Sequence, residues 1–122
     1  MTEKSDDAAR ILGDAAARRE RIEELPAHLR PVDLDEAYRV QSALIGQSKE
    51  DILGFKIAAT SRAGQAHIGI DHPISGQLVS SQVVMPGDTA DMHGNLMQAA
   101  EAEFVFEFTS AVMPRAEPYS WQ

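Results

Sequence analysis

An α+β chain, helices first and sheet second, is what the sequence predicts, and three observations carry that prediction. Two stretches before residue 50 hold apolar side chains at helical spacing, the second opened by a cap signal. From Ile52 onward, short apolar runs are divided by glycine, proline and serine, the punctuation of strands and turns. Near the end, Gln98 to Phe108 alternates apolar and acidic residues with the two-residue period of a strand.

The first helix is expected over Asp6 to Leu25, where Ala8, Ile11, Leu12, Ala15, Ala16, Ile22 and Leu25 follow helical spacing and Pro26 closes the run. Its charged residues, Arg18 to Arg21 with Glu23 and Glu24, form a mixed-sign wet face. After a linker from Pro26 to Pro31, Asp33-Leu34-Asp35-Glu36 has the form of a capping box. The helix it opens carries Leu34, Ala37, Tyr38, Gln41, Leu44 and Ile45 on one side and is expected to stop at Gly46.

Ile52 to Thr60 reads as an apolar strand with one lysine, Lys56, at its middle. Burial disfavours an ammonium, so Lys56 either snorkels outward, pairs with a carboxylate or serves a site. Ser61 caps a short helix from Arg62 to Ile68, and Gly69 ends it. Further strands are expected at Ile74 to Val79 and Gln82 to Met85, closed by the turn Pro86-Gly87-Asp88, with Gly94-Asn95 a second turn. Thr109 to Pro118, with two prolines, reads as a loop, and Ser120 has the form of a helix cap.

With 19 acidic residues against 11 basic ones, a net charge of −8 argues against a nucleic-acid backbone or an anionic membrane surface as partner. Acidic clustering suits a cation. There is no cysteine, so a metal has only oxygen and imidazole ligands to choose from, which favours Mg, Mn or Ca. His67, His72 and His93 lack metal-ligand spacing and read as surface or structural histidines. No apolar run is long enough to span a bilayer and the N-terminus lacks a signal peptide's apolar core, so a cytoplasmic location is expected.

In the alternating run, Ala102, Phe104, Phe106 and Phe108 share one strand face while Glu101, Glu103, Val105 and Glu107 share the other. Residues two apart on one face lie roughly 7 Å apart, near enough for Glu101 and Glu103 to converge on one hard cation. Two readings stand side by side: the solvated acidic face of a half-buried strand, or a carboxylate pair that meets a cation, with Lys56 as a nearby counter-charge.

Four segments, in order, carry a family resemblance: Leu34-Asp35-Glu36-Ala37-Tyr38-Arg39-Val40-Gln41, Gly54-Phe55-Lys56-Ile57-Ala58-Ala59-Thr60-Ser61, Gly69-Ile70-Asp71-His72-Pro73-Ile74-Ser75-Gly76 and Ala100-Glu101-Ala102-Glu103-Phe104. Together they resemble the 2-keto-4-pentenoate hydratases of the fumarylacetoacetate hydrolase superfamily, over nearly the whole chain. The resemblance implies N-terminal helices in residues 1–50, followed in residues 51–122 by the first part of a mixed β-roll, the chain being the N-terminal half of such a protein. It implies a Mg or Mn ion held by Glu101 and Glu103, with Lys56 as the catalytic lysine. The implied activity is that of a lyase on unsaturated 2-oxo acids from aromatic catabolism. A small 2-oxo acid is then the partner, in a homo-oligomer, with neither nucleic acid nor membrane. Two departures stand out: the family's further acidic ligand, supplied from well downstream, has no counterpart here, and Ser80 and Ser81 stand where some hydratases carry an acidic residue. An alternative class is a catalytically inactive remnant or assembly module whose open sheet edge is covered by a partner or another copy.

Overall fold

A computed structural model describes residues 3–93, 95 and 100–120. Among them the chain forms three α-helices and a two-stranded antiparallel sheet, an α+β arrangement with two helices before the sheet and the third between its strands. Helix α1 spans Glu3–Arg18 and α2 spans Leu34–Ser48. They pack through small side chains: Ala8 and Ala9 of α1 are fully buried with Val40 and Ala43 of α2, and Leu29 of the intervening 3-10 turn, Ala27–Leu29, closes the cluster. Ile11, Leu12, Leu25 and Leu44 pack around its rim. The approach is close. A Cβ added to Gly13 would meet Leu44 Cδ1 at 3.2 Å.

Helix α1 ends at Arg18 and not at the expected Leu25, because Arg19 takes a left-handed conformation (φ 54°). The Arg19 N–H donates to the Ala16 carbonyl at 3.0 Å and the Glu20 N–H to the Ala15 carbonyl at 2.9 Å. This paired pattern satisfies the last free carbonyls, as a Schellman motif does, here with arginine in the place glycine usually takes. Ion pairing of Arg18 Nε with Glu20 at 2.7 Å braces the same turn.

At the start of α2, Asp33 Oδ1 accepts the Glu36 N–H at 2.7 Å, as the cap signal predicts. The Glu36 carboxylate does not return to Asp33. It accepts from the Val32 N–H at 2.8 Å and from Lys4 Nζ at 2.9 Å, so Glu36 ties α2 to α1. Helix α2 runs through Gly46 and stops two residues later, where Lys49 is left-handed (φ 58°).

Strand β1, Ile52–Ala58, pairs with β2, Ile74–Val79, with Phe55 across from Gln77, Lys56 from Gly76 and Ile57 from Ser75. A register irregularity lies between Ile52 and Gly54. Left-handed Ala59 (φ 55°) ends β1 two residues before the expected Thr60. Helix α3, Arg62–Ile68, has the expected caps: Ser61 Oγ accepts the Gly64 N–H at 3.1 Å, and Gly69 takes φ 74°.

In place of the strand expected at Gln82 to Met85, Ser80–Gln82 forms a 3-10 turn, and Val83 to Met85 pair with no strand among the described residues. Glu50 takes over there, accepting the Ser81 N–H at 2.9 Å, and hydrogen bonds from Ser81 and Ser80 hold its carboxyl below the usual range.

The strand expected from Gln98 to Phe108 is not formed over residues 100–108, which pair with no strand among the described residues, while Gln98 and Ala99 lie outside them. Alternation prepares a run for a sheet, but ladder bonds need a neighbour, and this run has none. Its apolar side chains are accordingly bare, from 76% exposed at Phe108 to 96% at Phe104. The expected turn at Gly94-Asn95 falls partly outside the described residues; Asn95 donates its N–H to the Met92 carbonyl at 3.0 Å. Thr109 to Pro118 is a loop as expected, braced by Arg115, whose guanidinium lies 3.6 Å above the Tyr119 ring. The helix for which Ser120 would be the cap falls on Trp121 and Gln122, outside the described residues. Among the described residues no helix is long and apolar enough to cross a membrane.

Candidate cation site

Lys56 lies in the middle of β1, on the strand face opposite Phe55 and Ile57, because side-chain direction alternates along a strand. From there its ammonium reaches both carboxylates singled out in the sequence. Lys56 Nζ donates a short hydrogen bond to Glu103 Oε1 and lies 3.1 Å from Glu101 Oε2. All three side chains keep solvent contact, 40% exposed at Lys56, 66% at Glu101 and 53% at Glu103, so the cluster is a surface one. The hydrogen bonds to Glu103 and Glu101 raise the lysine pKa above its ordinary value, with desolvation opposing them. An exposed triad of this kind adds little to stability. Its interest is geometric.

The three residues are brought together by the structure, although the acidic run is extended without being a strand. Two carboxylates that meet one ammonium leave a single negative charge in excess at the cluster. Mg ions are commonly held by one or two carboxylates, with waters and substrate oxygens completing the octahedron. Glu101 and Glu103 supply a donor set of that kind. Among the described residues no group of three or more acidic or histidine side chains gathers to hold a metal, so these two are the carboxylates available at this point.

Among the described residues no histidine joins Glu101 and Glu103 in a metal-holding group. His72 Nδ1 lies 2.5 Å from Asp71 Oδ1, an exposed pair that holds the Asp71 carboxyl below its usual range. An open depression of about 470 Å3 beside α3 is lined by Thr60, Arg62, Gln65, Ala66, Ile70 and Asp71, and includes none of the three candidate residues.

Tyr38 and Gln41, one turn apart on α2 and expected from the sequence to serve packing or the surface, bond the sheet. Tyr38 Oη accepts the Ser75 N–H at 3.0 Å. Gln41 donates from Nε2 to the Ser75 carbonyl at 3.1 Å and accepts the Gln77 N–H at 3.3 Å. One side-chain amide therefore bonds β2 as a peptide group of a neighbouring strand would. The signal was a glutamine set within the apolar side of a helix.

No family model, curated protein or solved structure matches the chain.

Proposed function

We propose that the chain belongs to a metal-dependent lyase of unsaturated 2-oxo acids, resembling the 2-keto-4-pentenoate hydratases, with its helices and sheet as the opening part of a β-roll. The observation that carries this reading is the convergence of Glu101 and Glu103 on Lys56 from positions 45 or more residues away in sequence. Two of the four ordered sequence segments, Leu34 to Gln41 and Gly69 to Gly76, support it apart from these three residues.

Glu101 and Glu103 would hold Mg or Mn. When bound, the ion supplies Lewis acidity toward the chelated oxygens of a 2-oxo carboxylate and stabilises enolate charge. Lys56 holds its proton firmly, since both carboxylates favour the ammonium. The Lys56 ammonium, held beside both carboxylates, would orient an anionic substrate there and could donate its proton to it.

Calorimetric titration with oxalate, a mimic of the enolate, tests the reading with and without Mg. Binding that requires the metal and disappears in the Glu101→Gln/Glu103→Gln double variant is expected. Metal-dependent oxalate binding that survives the double substitution would sink the site assignment.

The second reading, an inactive assembly module, is favoured by one observation: Phe104, Phe106 and Phe108 are all at least 76% exposed. Concentration-dependent association without metal-dependent oxalate binding would favour it over the enzyme.

A further inference from the structure

We propose that residues 101–108 of one copy add as a third strand to the outer edge of β1 in a second copy, and reciprocally. Each Lys56 is then held by Glu101 and Glu103 of the other chain. In so far as these carboxylates bind a cation, which rests on the function proposed above, the site is completed between two chains.

The free edge can be located from hydrogen bonds. Ser75 turns its N–H and C=O toward α2, and Gln77 turns its N–H the same way. Their partners across the sheet, Ile57 and Phe55, therefore sit in non-hydrogen-bonded pairs and direct their own N–H and C=O groups outward on the far side of β1. Among the described residues no strand takes them up.

The acidic run fits that edge in side-chain pattern. With Glu103 across from Lys56 in an antiparallel register, Phe104 faces Phe55, Ala102 faces Ile57, and Val105 faces Gly54. Apolar residues then share one face of the sheet, and the ion pairs already seen share the other. Cross-strand aromatic and opposite-charge pairs of this kind stabilise a sheet. Pairing of the run with its own copy is poorer over its full length: registers centred on Phe104 or Val105 bring Glu101 or Glu103 opposite Glu107, and the register centred on Phe106 leaves both glutamates without a cationic partner.

Exchange between copies is favoured by what the run leaves undone within its own chain. There it reaches β1 through the Lys56 ion pairs but forms no ladder, and its phenylalanines stay bare. Phenylalanine side chains bury roughly 150 to 250 Å2 each. Three of them, with Leu53, Phe55, Ile57 and Val105, put on the order of 800 Å2 per copy at stake, the size of a specific interface. A reciprocal exchange repeats the existing ion pairs and closes at two chains.

Because the chain has no cysteine, engineered thiols report the seating directly. A Cβ at Gly54 meets nothing within 4 Å, and Val105 is 88% exposed, so Gly54→Cys and Val105→Cys are tolerable substitutions. They face each other in a non-hydrogen-bonded pair, the closer kind. Mixing the two single variants under mild oxidation should give a disulfide-linked pair of unlike chains, at least tenfold more than either variant gives alone. The doubly substituted chain should migrate as a linked dimer. Migration of that double variant as an internally bridged monomer at every concentration would overturn the exchange, as would the absence of any bridge. Neither readout involves metal, so failure here is separable from failure of the cation site.

Discussion

Gln41 Nε2 donates to the Ser75 carbonyl at 3.1 Å, and through that bond helix α2 occupies the edge of β2 where another strand would otherwise pair. Substituting Gln41→Ala removes this bond and the one from the Gln77 N–H, leaving part-buried backbone groups without partners. Loss of about 1 to 3 kcal/mol is expected. A fall in the urea midpoint together with faster hydrogen exchange at the Gln77 amide checks it.

Glu36 gives the helical pair an acid limit. Its carboxyl is held below the ordinary value of 4.5, first by the hydrogen bond from Lys4 and next by that from the Val32 N–H. A depressed carboxyl contributes stability above its unfolded value and loses it as pH falls through the lowered folded one. Unfolding midpoints measured from pH 6 down to pH 3 should therefore decline less steeply in Glu36→Gln than in the parent chain.

Lys56 titrates in the opposite sense. Its raised pKa means that the ion pairs contribute fully below the ordinary lysine value of 10.5 and are lost as pH rises through the higher folded value. NMR titration of the Lys56 side chain should give a midpoint above 10.5, and the Glu101→Gln/Glu103→Gln double variant should bring it down. An unchanged midpoint in that variant would deny the contact.

Two caps set local stability in ways that single substitutions can read. Asp33→Ala removes the side-chain acceptor for the Glu36 N–H and should cost about 1 kcal/mol. Gly69→Ala places a Cβ at φ 74°, where space is open but the backbone is strained, at a cost of about 1 to 2 kcal/mol. Chemical denaturation of the two variants measures both.

The elements that the sequence specifies well are those whose ends are written in side chains. Asp33, Ser61 and Gly69 bound α2 and α3 because capping is a local hydrogen-bond problem. The end of α1 was illegible for the converse reason: Arg19 adopts a left-handed turn without a glycine to announce it. Alternation in residues 101–108 correctly grouped Glu101 with Glu103, and both do meet Lys56, but whether such a run becomes a strand depends on a neighbour that no local pattern encodes. Gln41 was illegible in role because its partner is an edge, and which edge α2 covers is settled only by the tertiary arrangement.

That cover on β2 also decides how the chain fails. A two-stranded sheet carries two edges on which other chains can stack, and fibrillar growth needs both. Here α2 blocks one of them, so the helix acts as a guard on the sheet. Fraying of α2, promoted by acid through Glu36, would bare the second edge in a chain that already displays a row of phenylalanines. Turbidity at low pH should accordingly follow the melting of this helix and not that of the strands.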